Sequence, residues 1–404
     1  MYIDASAKKD EEMINLDYAS HTPVDGIVLA EFCRVEREFG GNALAAHGLG
    51  KSAAAEMERA TAGIAALIGV KPEEIIYTSG ASEANNLAIK GIARAYGYRG
   101  KHILSTCLEH PSVSGTLVFL QEAGYEIELL KILPNGKIDL VHLKSAIRPD
   151  TILLCVSAVD SELGAVQDLE EIYDLLLSHP NCHIHVDAAQ AMGKIPVAIK
   201  AASTLCFSPH KFHGLGGFGV LVKRAGVVLE PLIHGGGSAY GGATGVGGAG
   251  GLGKNSLYRA GTPSPAMSAA CFKALQIALD EIDSRLETVK NLRQYVLDGI
   301  AALNLNRCRS GDESGKIRIN SPAGGSPYIL NLSIKGVKGT DTQASLDSKG
   351  IAVSVKSACS TDRAPSRPVF AITGDKKNAL ESWRVSFSHL TTIQELDVLL
   401  SSLI

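Results

Sequence analysis

Along residues 71–224 short apolar runs, many of them rich in β-branched side chains, alternate with stretches of helical periodicity. The runs are Ile75 to Thr78 (IIYT), His102 to Thr106 (HILST), Glu126 to Leu130 (EIELL), Ile152 to Val159 (ILLCVSAV), His183 to Ala188 (HIHVDA), Thr204 to Ser208 (TLCFS) and Phe218 to Val222 (FGVLV). Apolar character on both faces marks strands covered from both sides, so the pattern predicts an α/β fold with a parallel or mixed sheet between helices. In such a sheet the ligand belongs beyond the carboxyl ends of the strands.

Past this region the pattern changes. Gly235 to Gly253 carries 11 glycines in 19 residues, too many for a helix or strand interior. It reads as a loop, either a flexible linker or a segment at an active site. Residues 264–303 have helical periodicity over a length that suits one long helix or two, a plausible domain connector. Lys316 to Asn320 (KIRIN) and Tyr328 to Ile334 (YILNLSI) read as strands, and Thr340-x-x-Gln343 and Thr392-x-x-Glu395 as capping boxes that open two helices. The expected organisation is a large domain over residues 15–264, including the glycine-rich loop 235–253, and a smaller α+β domain over residues 1–14 and 265–404.

Composition acts mainly by exclusion. Lys and Arg number 39 against 42 Asp and Glu, a net charge of −3, which leaves no basic excess for direct nucleic-acid binding. The eight cysteines are scattered without a C-x-x-C pair, so no metal site and no disulfide framework are indicated, and the pattern suits a reducing compartment. Residues 1–13 lack the apolar core of a signal peptide, and the most apolar stretch, Thr151 to Val159, is far shorter than a ~20-residue membrane span. A cytoplasmic protein without membrane contact is expected.

Four local patterns carry chemistry. Thr78-Ser79-Gly80-Ala81-Ser82-Glu83 follows a strand and precedes a helix-like run from Ala84 to Tyr96. Gly80, Ala81 and Ser82 there offer backbone N–H groups and a hydroxyl to a phosphate, or Ser82 is an ordinary helix cap. Asp187 ends an apolar strand, where a carboxylate needs a cationic or hydrogen-bonding partner; a protonated ring nitrogen or a following helix both qualify. Lys211, in Ser208-Pro209-His210-Lys211, sits between a strand and a tight glycine turn, a placement for a desolvated amine that forms Schiff bases, although a surface lysine beside a turn is commoner. The fourth pattern is Ser357-Ala358-Cys359-Ser360, whose cysteine is either a nucleophile or a small buried hydrophobe.

Together the first three describe pyridoxal 5'-phosphate held by its phosphate, its ring nitrogen and its aldehyde. On these residues the sequence resembles the class V aminotransferase family of fold-type I pyridoxal-phosphate enzymes, and within it the NifS-type cysteine desulfurases, from about Asn15 to Leu400. The early LDYAS (Leu16 to Ser20), Thr22-Pro23, Gly41-Asn42 and His47 belong to the same resemblance. It implies that Ala81 and Ser82 hold the phosphate with Ser208 and His210. His110, in LEHPSV, stacks on the ring and moves protons, Asp187 pairs with the ring nitrogen, and Gln190 and Ser161 lie near the ring hydroxyl. Lys211 is the Schiff-base lysine, and Thr262, in RAGTP, reaches the phosphate of a neighbouring subunit, which implies a homodimer. Cys359 forms the persulfide, while Arg384 and Asn42 bind substrate, Arg384 through the carboxylate, for which a guanidinium is suited.

The implied reaction takes L-cysteine to L-alanine and an enzyme persulfide that a protein acceptor collects, as in iron–sulfur cluster biogenesis. Either Lys211 or His110 moves the α-proton. Three departures stand out: Ser161 replaces the usual Asn, the glycine-rich segment is long, and DRAPSRP (Asp362 to Pro368) stiffens the chain after Cys359. Another class V activity with the same cofactor site, an aminotransferase or selenocysteine lyase, stays open, and Ser161 and the glycine-rich segment keep open a sulfur-transfer scaffold that retains the fold without turnover.

Overall fold

Seven apolar runs become one sheet in the computed structural model, which describes residues 13–235, 258–309, 316–356 and 364–403. The strands are β1 (Ile75–Thr78), β2 (His102–Ser105), β3 (Glu126–Leu129), β4 (Thr151–Ser157), β5 (His183–Asp187), β6 (Thr204–Phe207) and β7 (Gly219–Lys223). Their spatial order is β1-β7-β6-β5-β4-β2-β3, with β7 antiparallel to both neighbours and every other pair parallel. All seven residues of β4 are buried, the burial its unbroken apolar run anticipates. Two glycine positions allow close approach: a Cβ on Gly219, opposite Thr78, would stand 2.5 Å from the Gly80 carbonyl carbon, and one on Gly63 would strike the Phe272 ring at 2.4 Å.

Helices cover this sheet. Among them are α1 (Gly26–Glu38), α2 (Gly48–Ile68), α3 (Ala81–Tyr96), α4 (Pro111–Glu122), α5 (Leu140–Ala146) and α6 (Leu169–Leu176). α3 turns Leu87, Ile89 and Ile92 into a core shared with Ile103, Leu117 and Ile152. The helical stretch expected over 264–303 is two helices, α7 (Pro265–Asp280) and α8 (Ile282–Arg309), parted at Glu281, which leaves helical geometry at φ −106°, ψ 10°.

The chain divides into two units. The larger comprises the described residues of His21–Ser161 and Ala165–Asp283. It therefore runs past residue 264, where periodicity placed the boundary. α7 belongs with it because Ala266 and Ala269 pack against Val35 of α1 and Ala60 of α2, with Phe32 and Phe272 alongside.

The smaller unit comprises the described residues of Met1–Ser20, Glu162–Gly164 and Ser284–Ile404. Its strands β8 (Ile317–Ile319), β9 (Ile329–Ile334) and β10 (Ser382–Ser386) form an antiparallel sheet in the order β10-β9-β8, and Ile14–Asn15 pairs in parallel with Ile351–Ala352. The Thr392/Glu395 capping box forms as expected. The Thr340 box does not. Helix Gly339–Asp347 starts one residue earlier, with Lys338 as its cap, and a Cβ on Gly339 would stand 2.0 Å from the Ser382 carbonyl oxygen. That contact admits only glycine at the helix start and leaves Thr340 inside the first turn.

Candidate active site

The carboxyl ends of β1, β5 and β6 gather the chemistry in the larger unit. After β1, Gly80 precedes α3 with no side chain capping the helix, so its first N–H groups remain available to an anion. Glu83 reaches back to the Ser79 N–H at 2.7 Å and also accepts from Arg259 Nε at 3.0 Å. That pair ties the segment carrying Thr262, itself exposed, to the first turn of α3. A Cβ on Gly80 would stand 3.9 Å from Ser208 Oγ, so the start of α3 and the end of β6 are neighbours.

Beyond β6, Pro209–Lys211 form one 3-10 turn that presents His210 and Lys211 together. Thr22 holds this turn from both sides: its hydroxyl donates to the His210 carbonyl at 2.9 Å and accepts the His213 N–H at 2.7 Å. His213 sits at φ +67°, a left-handed conformation that a non-glycine residue keeps only when its surroundings hold it there. Ser208 Oγ donates to the Phe218 carbonyl at 2.6 Å, so at 3.1 Å it accepts from His210 Nδ1. Burial, Lys211, His21 and Lys194 together push His210 down to about 4, and His21 stacks on it with ring centroids 5.4 Å apart.

Asp187 closes β5, buried, with Ala189 N–H donating to Oδ1 at 3.0 Å and the Asn85 amide to Oδ2 at 2.8 Å. His110 caps α4 by accepting the Ser112 N–H at Nδ1. Burial lowers its affinity for a proton, Asp187 acts in the opposite sense and Lys211 adds to the lowering, which places His110, Asp187 and Lys211 in one electrostatic neighbourhood. Gln190 is buried, and Lys194 Nζ donates to its Oε1 at 3.0 Å, so its amide oxygen is engaged there. Ser161 is half-buried in the loop after β4, and Asn42 is exposed, its Oδ1 accepting the Leu44 N–H at 3.0 Å.

In the smaller unit Arg384 is fully buried on β10, with Nη2 donating to Asp17 Oδ1 at 2.7 Å and Ser20 Oγ at 3.0 Å. Cys359 and residues 236–253 of the glycine-rich loop lie outside the described residues. Thr22, Asn85, Ser112, Glu109 and Lys194 carried no assigned role in the sequence. They hydrogen-bond other residues of the site, and the distant partners of Thr22, Asn85 and Glu109 leave no local pattern, whereas Ser112 and Lys194 meet His110 and Gln190 within four residues.

The class V aminotransferase model matches residues 14–399. The chain belongs to the class V aminotransferase family. Cysteine desulfurase IscS of Neisseria meningitidis serogroup C (strain 053442) is 36% identical over 389 residues, 95% of this chain and 89% of that one. A NifS-like protein of known structure matches this class V chain with a TM-score of 0.84 at 29% identity, covering 97% of this chain and 98% of that one. SspA, solved in complex with cysteine, has a TM-score of 0.74 at 26% identity, covering 94% and 100%.

The chemistry of the donor set fits pyridoxal phosphate. Lys211, His21 and Lys194 all lie near enough to His210 to oppose a proton on it, a setting that favours an anion, and the uncapped start of α3 adds N–H donors. Asp187 is a buried acceptor suited to a cationic ring nitrogen, and Lys211, half-buried, acts with it on His110.

Proposed function

We propose that the chain is a pyridoxal-phosphate-dependent cysteine desulfurase that converts L-cysteine to L-alanine and keeps the sulfur as a persulfide on Cys359. The observation that carries this reading is the neighbourhood of His110, Asp187 and Lys211 at the ends of β5 and β6, in a class V chain whose relatives include cysteine desulfurases. Cysteine as substrate draws also on SspA, a relative solved in complex with it.

When bound, pyridoxal phosphate supplies an electron sink conjugated to the substrate Cα. Ala81 and Ser82 at the start of α3, with Ser208 and His210, hold its phosphate; Asp187 keeps its ring nitrogen cationic; Gln190 and Ser161 serve the ring hydroxyl. The Lys211 amine would hold the aldehyde and His110 would lie against the ring, one of the two moving the Cα proton. Arg384, oriented by Asp17 and Ser20, holds the substrate carboxylate with help from Asn42. The Cys359 thiolate takes the substrate sulfur.

The protein is further proposed to be a cytoplasmic homodimer, with Thr262 serving the phosphate site of the second copy, and to hand its sulfur to a protein acceptor such as an iron–sulfur scaffold. Among the described residues no helix is long and apolar enough to cross a membrane. The deciding experiment incubates purified, cofactor-loaded protein with L-cysteine and follows alanine and protein-bound persulfide together. Equal yields in the first turnover are expected; an oxo acid product, or alanine without persulfide, would assign a different class V reaction.

A further inference from the structure

Asn85, in the second turn of α3, is completely buried and joins two residues of the proposed site through a chain of hydrogen bonds whose every direction is determined. Its Nδ2 lies 2.8 Å from Asp187 Oδ2, and a carboxylate only accepts, which sets the amide with nitrogen toward Asp187. Oδ1 then faces His185 Nε2 at 2.8 Å, and Cys206 Sγ donates to the same oxygen. An amide oxygen only accepts, so His185 carries its proton on Nε2, and its Nδ1 accepts from the Thr204 hydroxyl at 2.9 Å. Burial pushes His185 down to about 4 and keeps it neutral in this arrangement.

The second amide hydrogen of Asn85 goes to Ser112 Oγ at 2.8 Å. The Ser112 backbone N–H donates to His110 Nδ1 at 3.1 Å, so that nitrogen carries no proton and the Ser112 hydroxyl, 2.8 Å away, donates to it as well. With Nδ1 accepting twice, neutral His110 carries its proton on Nε2.

We propose that Asn85 is a positioning residue that sets His110 as the Nε2–H tautomer while it orients Asp187, so that His110 acts as a proton donor and Lys211 alone takes the Cα proton. This rests on the reading of His110 and Asp187 as cofactor-facing residues, and it decides between the two bases that the sequence left open. A polar network buried at Asn85, His185 and Asp187 is rigid, which is what holding a tautomer requires.

The test uses holoenzyme labelled with 15N-histidine, in which long-range 1H–15N spectra separate the two tautomers, and His110→Gln and His185→Gln assign the signals. Both residues are expected as Nε2–H at pH 7 to 8; His110 found as Nδ1–H overturns the proposal whatever any variant does. In Asn85→Asp, which has the same shape and, ionised, donates to neither Ser112 nor Asp187, the Ser112 hydroxyl turns to the new carboxylate. His110 should then shift toward Nδ1–H and kcat for alanine release should fall at least tenfold with KM within threefold. An Asp variant that folds, binds cofactor and leaves tautomer and kcat unchanged removes Asn85 from the role. Ser112→Ala keeps the backbone N–H donor, so it should retain Nε2–H and lose less kcat than Asn85→Asp; an equal or larger loss overturns the assignment of Asn85 as the hub. A chain that releases no alanine yet shows His110 as Nε2–H loses the proposed activity and keeps this inference, and alanine release with His110 as Nδ1–H does the reverse.

Discussion

Glu109 Oε2 accepts a hydrogen bond from Ser157 Oγ at 2.7 Å, and Ser157 is the residue of β4 that stands in register beside Asp187 of β5. The other Glu109 oxygen accepts from Thr106 Oγ1 at 2.8 Å. A second buried carboxyl thus lies behind the first, one residue before His110.

This placement sets a pH dependence of stability. Burial raises the Glu109 carboxyl from 4.5 to about 7 against the lowering effect of its two hydroxyl donors, and Asp187 adds to the rise. Between those values the folded chain holds a proton that the unfolded chain has released, so stability falls as pH rises through that window and the loss is complete above about 7. The contribution is roughly 3 kcal/mol at ~1.36 kcal/mol per pKa unit. Urea melts of wild type and Glu109→Gln at pH 5 and pH 8 check it: the variant should gain relative stability by a few kcal/mol at pH 8, and equal differences at both pH values would place the carboxyl in its ordinary range.

Asp187→Asn should leave the sheet intact, since it keeps the shape of the side chain and one oxygen to accept from the Ala189 N–H or the Asn85 amide. An amide cannot hold a pyridine nitrogen protonated as a carboxylate does. Alanine release should fall more than a hundredfold, about 2.7 kcal/mol in barrier at ~1.36 kcal/mol per decade. Turnover within tenfold of wild type would contradict the assigned partner of the ring nitrogen.

Borohydride reduction of cofactor-loaded protein should fix the cofactor on Lys211, as peptide mapping would show. Lys211→Ala should lose both the label and alanine release while keeping its far-UV spectrum. A label on Lys194, which instead donates to Gln190, would move the assignment there.

Asp17→Ala should weaken cysteine binding more than it slows turnover. The buried Arg384 guanidinium keeps only Ser20 of the two named Nη2 acceptors, and a hydrogen bond between charged groups is worth about 1.5–3 kcal/mol. KM should rise roughly tenfold or more, at ~1.4 kcal/mol per decade, with kcat within threefold. The opposite split, kcat falling with KM unchanged, would detach Arg384 from carboxylate binding.

Cys359→Ser should abolish persulfide formation and alanine release while leaving cofactor binding unaltered, because the residues assigned to the cofactor are elsewhere in the chain. Normal alanine release without added thiol would reduce Cys359 to a packing residue and favour another class V reaction.

Much of this arrangement is legible along the chain because its cause is local. The both-face apolar runs at Ile75–Thr78 and Thr151–Ser157 are strands wherever they fold between helices, and the sequence order of strand, Gly80 and helix already presents N–H groups to an anion. Thr392 and Glu395 cap each other across three residues, so their pattern survives folding. Thr340 and Gln343 carry a similar pattern and fail, because Gly339 meets Ser382, a neighbour 43 residues away that no local pattern reports.

The sequence by itself therefore determined the class of the fold and the succession of strands and helices, and it brought forward the residue types suited to a phosphate, a ring nitrogen and an aldehyde. Tertiary structure alone decided the antiparallel turn of β7, the attachment of α7 to α1 and α2, and the placement of Glu162–Gly164 in the smaller unit. It also decided the supporting shell. Thr22 meets His213 across 191 positions and Asn85 meets Asp187 across 102. A hydrogen bond acts over about 3 Å and selects a direction as well as a partner, so which way Asn85 points, and hence where His110 keeps its proton, exists only once the chain has closed on itself.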